Sequence, residues 1–201
     1  MVVKGLLGRT KRACKSRKGR KVVGLDRVSL SHVPCVLLVG LDGASWTVID
    51  RMLADGHLPN IRKMLGSGAS GILRSTVSML TPETWTSVVT GTAPSKHEVL
   101  GFWKEGEDGE RRPVTAKERR TDAIWTYMSK IGKKVVVINV PATYPPDRVN
   151  GVMISGMDTP SIESPFTFPE ELRRTLLVDY DYQIDVPQTK DLQSLLDQFE
   201  Y

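Results

Sequence analysis

The stretch Cys35-Val36-Leu37-Leu38-Val39-Gly40-Leu41, closed by Asp42-Gly43, is a short continuous apolar run ended by a turn pair. That pattern reads as a strand buried on both faces, the kind a parallel sheet uses. Residues 134–140 (KVVVINV), closed by Pro141, repeat it. Between the two runs, proline and glycine punctuation marks helices. These are predicted over Trp46–Ala54 ending near Gly56, over residues 59–65 ending at Gly66, over 82–89 ending at Gly91, and over 122–131 stopping at Gly132. Residues 71–77 and 152–155 are further strand candidates, and 169–177 and 192–199 read as late helices. Strands alternating with helices imply an α/β fold, a mostly parallel sheet flanked by helices. After Val186 a polar linker and one amphipathic segment close the chain without another buried strand, so the domain is expected to be incomplete at its C-terminus.

Composition bounds the function. The chain has 201 residues, 40% hydrophobic and 25% charged, which describes a globular protein and excludes wholesale disorder. No apolar run approaches the ~20 residues of a membrane helix, and the first residues lack a secretory apolar core, so a cytoplasmic protein with no membrane span is expected. The two cysteines, Cys14 and Cys35, stand in unlike surroundings and are read as free thiols. The net charge of +5 is unevenly spread. Lys4, Arg9, Lys11, Arg12, Lys15, Arg17, Lys18, Arg20 and Lys21 crowd the first 21 residues, where no acid occurs. Removing these nine from the 28 basic residues leaves 19 against 23 acidic ones, so the body is mildly acidic. Residues 1–32 are therefore read as a basic, solvated, disordered tail, and any nucleic-acid or lipid binding would belong to that tail.

The stretch over residues 104–120 (KEGEDGERRPVTAKERR) is so charged that it reads as a surface excursion that does not pack. Two positions could carry chemistry. Asp42 ends the first apolar strand, where open α/β sheets bind ligands, and its carboxylate could reach a metal ion while Gly43 admits close backbone approach. Asp-Gly is equally an ordinary turn pair. Thr81-Pro82-Glu83-Thr84 is a helix start with the threonine hydroxyl at the N-cap and proline at the first helical position. A hydroxyl there sits in a positive field that favours an alkoxide or a bound phosphate, so cap and nucleophile remain compatible roles.

The ordered set Gly40-Leu41-Asp42-Gly43, Leu58-Pro59-Asn60, Thr81-Pro82-x-x-Trp85-x-Ser87-x-x-Thr90-Gly91 and Lys96-His97 resembles the amino-terminal half of the alkaline phosphatase superfamily. Within it the set is similar to the type I phosphodiesterase/nucleotide pyrophosphatase branch and its archaeal-type phosphohydrolase/phosphomutase members. Pro141-x-x-Tyr144-Pro145-Pro146 and Gly151-Val152-Met153-Ile154-Ser155-Gly156-Met157 resemble segments of the same subgroup. The resemblance implies a metal-dependent hydrolase of phosphoric esters with two divalent, zinc-like ions. It implies that Asp42 ligates one ion and that Thr81 is the metal-bound nucleophile, passing through a phosphothreonine. The substrate would be a phosphorylated small molecule or a phosphodiester.

Two departures from the family pattern bear on this. Phe102 stands where nucleotide pyrophosphatases place a phosphoryl-binding asparagine, which favours the phosphohydrolase/phosphomutase subgroup. Glu98 stands where the family has the glycine of Lys-His-Gly. The family's remaining ligands, including an Asp-His pair, lie in a carboxyl-terminal half that is not in this sequence. Its histidines are His32, His57 and His97. Asp158 is read as a turn residue and His97 as satisfying a local carbonyl. The domain expectation is thus a tail over 1–32 and, over 33–201, the amino-terminal part of an alkaline-phosphatase-like α/β domain. It would be a truncated form or one completed by a separately encoded C-terminal half. The alternative is a noncatalytic α/β interaction module that binds anions through the basic tail.

Overall fold

The computed structural model describes residues 36–184. The basic tail, Cys35 and the helix expected over 192–199 lie outside the described residues. The chain divides into two units, Met1–Arg74 and Ser75–Tyr201.

In the first unit, helices α1 (Trp46–Ala54) and α2 (Pro59–Ser67) form where the punctuation placed them, α2 running past Gly66 to Ser67. Pro59 opens α2 because the first turn of a helix needs no N–H bond from that residue. Ile49 is the buried anchor of α1, and the Arg62 guanidinium of α2 reaches back to the Leu53 carbonyl, tying the pair together. Residues 36–41, expected as the first buried strand, form no strand, and Val36 is 81% exposed. An apolar run becomes a strand only when a neighbouring backbone pairs with it. Each ladder among the described residues is made by other segments. Residues 71–77 likewise form no strand.

The second unit contains α3 (Thr81–Thr90), α4 (Pro94–His97), β1 (Trp103–Glu105), β2 (Arg111–Pro113), α5 (Ile124–Lys130), β3 (Val135–Val140), β4 (Gly151–Ser155), β5 (Thr167–Phe168) and α6 (Leu172–Asp179). Its sheet runs β3-β4-β5. β3 and β4 are parallel, from Val135 opposite Gly151 to Ile138 opposite Ile154, and β5 is antiparallel to β4. The observed sheet is therefore mixed: the β4–β5 connection contains no helix, and a chain that returns without a crossover must run antiparallel. A Cβ at Gly151 or at Gly156 would collide with the carbonyls of Val135 and Val140, so the glycines bracketing β4 are what let it lie against β3.

One sheet face buries Val137 and Met153 under Val89 of α3, Ala123 and Trp125. The other buries Ile154 and Phe166 with Ile184, flanked by Leu172, Leu176 and Leu177 of α6. The charged excursion does pack, against expectation. β1 and β2 form an antiparallel hairpin, and the chain after it buries Val114 and Ala116. Two devices hold it: Val114 joins a small cluster with Val99 and Ala142, and the Thr115 and Glu118 side chains close a reciprocal capping box over the turn Ala116–Glu118.

Candidate functional site

Thr81 is the first residue of α3 and is half-buried. The N-cap position expected for it belongs instead to Leu80, whose extended backbone (φ −77°, ψ 136°) feeds the helix and whose carbonyl accepts the first intrahelical bond, from Thr84 N at 2.9 Å. Thr81 and Pro82 thus occupy the first turn, where backbone N–H groups point out of the helix and give that end a partial positive charge. The turn is anchored on its flank by the hydroxyls of Thr76 and Thr84, 2.7 Å apart. Gly91, left-handed at φ +66°, ends α3 and returns its N–H to the Ser87 carbonyl.

Asp42 lies in the first unit, in the turn that follows residues 36–41. It is exposed, and its Oδ1 accepts the Gly43 N–H at 3.0 Å. Gly43 takes φ +67°, the conformation the Asp-Gly pair supplies without strain.

Behind the Thr81 turn, α3 buries Glu83 and Thr86. His97 is fully buried and does not satisfy a carbonyl as expected. Its Nδ1 accepts the Val99 N–H at 3.1 Å and its Nε2 lies 2.8 Å from Ser87 Oγ. Because Nδ1 accepts a backbone proton, the imidazole's own proton is on Nε2, which donates to the serine. Burial pushes His97 below the ordinary imidazole range, opposed in part by the Glu83 carboxylate, so the ring is neutral. A serine that receives a proton from histidine is not activated by it, and the pair is structural. Glu98, which follows α4, adopts a left-handed backbone at φ +62°.

A cavity of about 210 Å³ opens beside the start of α3. Pro82 forms one wall, Phe102 and Trp103 of the hairpin another, and Pro141, Met157 and Asp158 the loops beyond β3 and β4. Those loops sit beyond the carboxyl ends of two parallel strands, the usual place for a ligand in α/β sheets. Asp158, read from sequence as a turn residue, holds the neighbouring loop: Oδ1 accepts Thr143 N at 3.3 Å and Oδ2 accepts Tyr144 N at 2.9 Å. Burial raises its carboxyl above the usual range, opposed by these backbone bonds. Thr143 is fixed further by Ser155 Oγ, which donates to its carbonyl at 3.1 Å, and by Gly156 N, which donates to its hydroxyl at 3.0 Å.

Among the described residues the donor set for a metal is incomplete. Among the described residues, no three His, Cys, Asp or Glu side chains are grouped to hold an ion. His97 has both ring nitrogens engaged, and a tetrahedral site needs four donors. The expected pair of zinc-like ions therefore does not fit the described residues taken alone. No helix among them is long and apolar enough to cross a membrane.

Fold and site together define a mixed α/β protein with a threonine opening a helix beside an apolar cavity at the strand ends. Residues 36–200 match the family model described as type I phosphodiesterase/nucleotide pyrophosphatase, and the chain belongs to that family, part of the alkaline phosphatase superfamily. The family implies hydrolysis of phosphodiester or pyrophosphate bonds and is generally metal-dependent. No curated protein and no solved structure matches the chain.

Proposed function

We propose that this chain is a hydrolase of phosphoric esters in which Thr81 is the nucleophile. The observation that supports it is the place of Thr81, at the first turn of α3 in a chain matched to this family across residues 36–200. Thr81 Oγ1 attacks phosphorus, the ester P–O bond breaks, and the leaving alcohol takes up a proton. Water then attacks the phosphothreonine and restores the hydroxyl. The helix end, with its outward N–H groups, stabilises the phosphoryl charge at each stage. The family is generally metal-dependent, and Asp42, exposed in the turn after residues 36–41, is the carboxylate proposed to ligate a divalent ion.

The test is hydrolysis of bis(4-nitrophenyl) phosphate by the full chain with zinc or manganese, beside Thr81→Ala and Thr81→Ser. Turnover is expected to fall by about 10³-fold or more in Thr81→Ala and to persist in part in Thr81→Ser. An acid quench of the wild type is expected to trap a 4-nitrophenylphosphoryl group on Thr81, seen by mass spectrometry. Full activity in Thr81→Ala overturns the nucleophile, and no turnover in the wild type with either ion overturns the hydrolase reading for this chain.

A further inference from the structure

We infer that Thr76 is a positioning residue for the reaction: its hydroxyl bond to Thr84 latches the chain that enters α3 and so fixes the approach of Thr81 to phosphorus. The catalytic role of the latch rests on the Thr81 reading, whereas its hold on the chain does not. Thr84 holds that entering chain twice. Its N–H donates to the Leu80 carbonyl at 2.9 Å, and its hydroxyl lies 2.7 Å from the hydroxyl of Thr76. Thr81 and Thr84 stand three residues apart on α3, neighbours on one face of the helix, so the latch lies within one turn of the nucleophile.

Packing does little of this work. Across residues 71–80 only Thr76 is not exposed; Val77 is 100% and Met79 72% exposed. Leu80 gives a second hold, its Cδ1 lying where a Cβ on Gly101 would come within 3.3 Å. The latch also sustains a bend. Extended, the chain from Thr76 to Thr81 would span about 17 Å, yet Thr76 is bonded to Thr84, whose Cβ in a helix lies about 5–6 Å from that of Thr81. The chain therefore doubles back before it enters α3, and Met79 makes the turn in the left-handed region at φ +51°. A residue with a Cβ is disfavoured there, and such a conformation persists only where its surroundings impose it. Without the Thr76 bond the bend relaxes towards extended backbone, Leu80 follows, and Thr81 Oγ1 leaves its line of attack. Displacing a reacting group by about 1 Å can cost about 100-fold in rate.

The experiment compares the full chain with Thr76→Val, Thr76→Ser, Thr84→Val and the double variant Thr76→Val with Thr84→Val. Hydrolysis of bis(4-nitrophenyl) phosphate with zinc or manganese gives kcat and KM, and hydrogen exchange followed by NMR reads the Thr84 amide. Thr76→Val is expected to lower kcat about tenfold or more with KM within about twofold, because the latch orients the nucleophile and touches no substrate. Exchange of the Thr84 amide is expected to quicken about tenfold. Thr76→Ser restores the hydroxyl and is expected to return kcat to within about threefold of wild type. Thr84→Val is expected to match Thr76→Val, and the double variant to be no worse than either, since the same bond is lost each time. Val77→Ala, in the same stretch and fully exposed, leaves rate and exchange unchanged.

Full kcat in Thr76→Val overturns the positioning role, as does a fall that Thr76→Ser does not reverse. Additive losses in the double variant, or Thr84 exchange unchanged in Thr76→Val, overturn the latch. A wild type without turnover overturns the hydrolase reading and the positioning role with it. Quickened exchange in Thr76→Val together with full turnover in Thr81→Ala retains the latch and removes the nucleophile. Loss of turnover in Thr81→Ala with full kcat in Thr76→Val does the reverse.

Discussion

His97 donates to Ser87 and does not accept from it. The 2.8 Å contact between Nε2 and Ser87 Oγ, with Nδ1 held by the Val99 N–H, fixes the tautomer that cannot serve as a base for that serine. Ser87→Ala leaves a buried Nε2–H without an acceptor and is expected to destabilise the fold by about 1–3 kcal/mol. Hydrolysis of bis(4-nitrophenyl) phosphate per folded molecule is expected to be unchanged. Urea denaturation beside steady-state rates checks both, and a large fall in rate at unchanged stability would show that Ser87 takes part in the reaction.

The same imidazole makes stability depend on pH. Folding lowers its affinity for protons, so its contribution is complete above the unfolded value of about 6.5 and is lost as pH falls from there towards the lower folded value. Protonation would set an Nδ1–H against the Val99 N–H, two donors facing each other. The slope attributable to one group reaches about 1.4 kcal/mol per pH unit. Asp158 acts in the opposite sense: its folded value is raised, so its contribution declines as pH rises through that value. Denaturation midpoints between pH 5 and 8 are expected to fall below pH 6.5 in the wild type and to flatten in His97→Gln.

Glu98 sits in a conformation that costs a residue with a Cβ about 1 kcal/mol, at φ +62°, and its carboxylate contact with Arg120 Nε at 3.3 Å is at the surface. Glu98→Gly removes the strain, while glycine's greater freedom in the unfolded chain offsets part of the gain. A net increase of up to about 1 kcal/mol is expected, measured as a higher urea midpoint at unchanged slope. A lower midpoint would show that the Arg120 contact outweighs the backbone strain.

Much of the fold is legible in the sequence. Proline at helix starts and glycine at helix ends located α1, α2 and α3 to within about two residues, because those residues act through local backbone geometry. Pairing is not local, and residues 36–41 show the consequence: an apolar run identifies a segment that can become a strand, not one that has found a partner. Charge density misled over 104–120, where the spacing of Thr115 and Glu118 already carried the capping-box signal and Val114 the core contact. Thr81 stood out because threonine-proline is a helix-start pattern. Its cavity did not, because Pro82, Trp103, Pro141 and Met157 are far apart in the chain and only folding of the second unit assembles them.

Asp147 is a half-buried polar lock of that unit. Its Oδ2 accepts Arg119 Nη2 at 2.5 Å and Trp125 Nε1 at 2.6 Å, while the guanidinium carbon lies 5.6 Å from the centre of the Trp125 ring. The Arg119 side chain is only 8% exposed, so its charge depends on this carboxylate for compensation. Asp147→Ala strands a buried guanidinium and a buried indole N–H, and a loss of about 3 kcal/mol is expected. Asp147→Asn keeps one acceptor and is expected to cost less. Replacing both members of the ion pair, Arg119→Met with Asp147→Leu, removes the desolvated charges together and is expected to recover most of the loss, leaving the indole N–H as the residual cost. Urea denaturation of the three variants separates these terms. A double variant as unstable as Asp147→Ala would show that the indole bond, and not the ion pair, holds α5 in place.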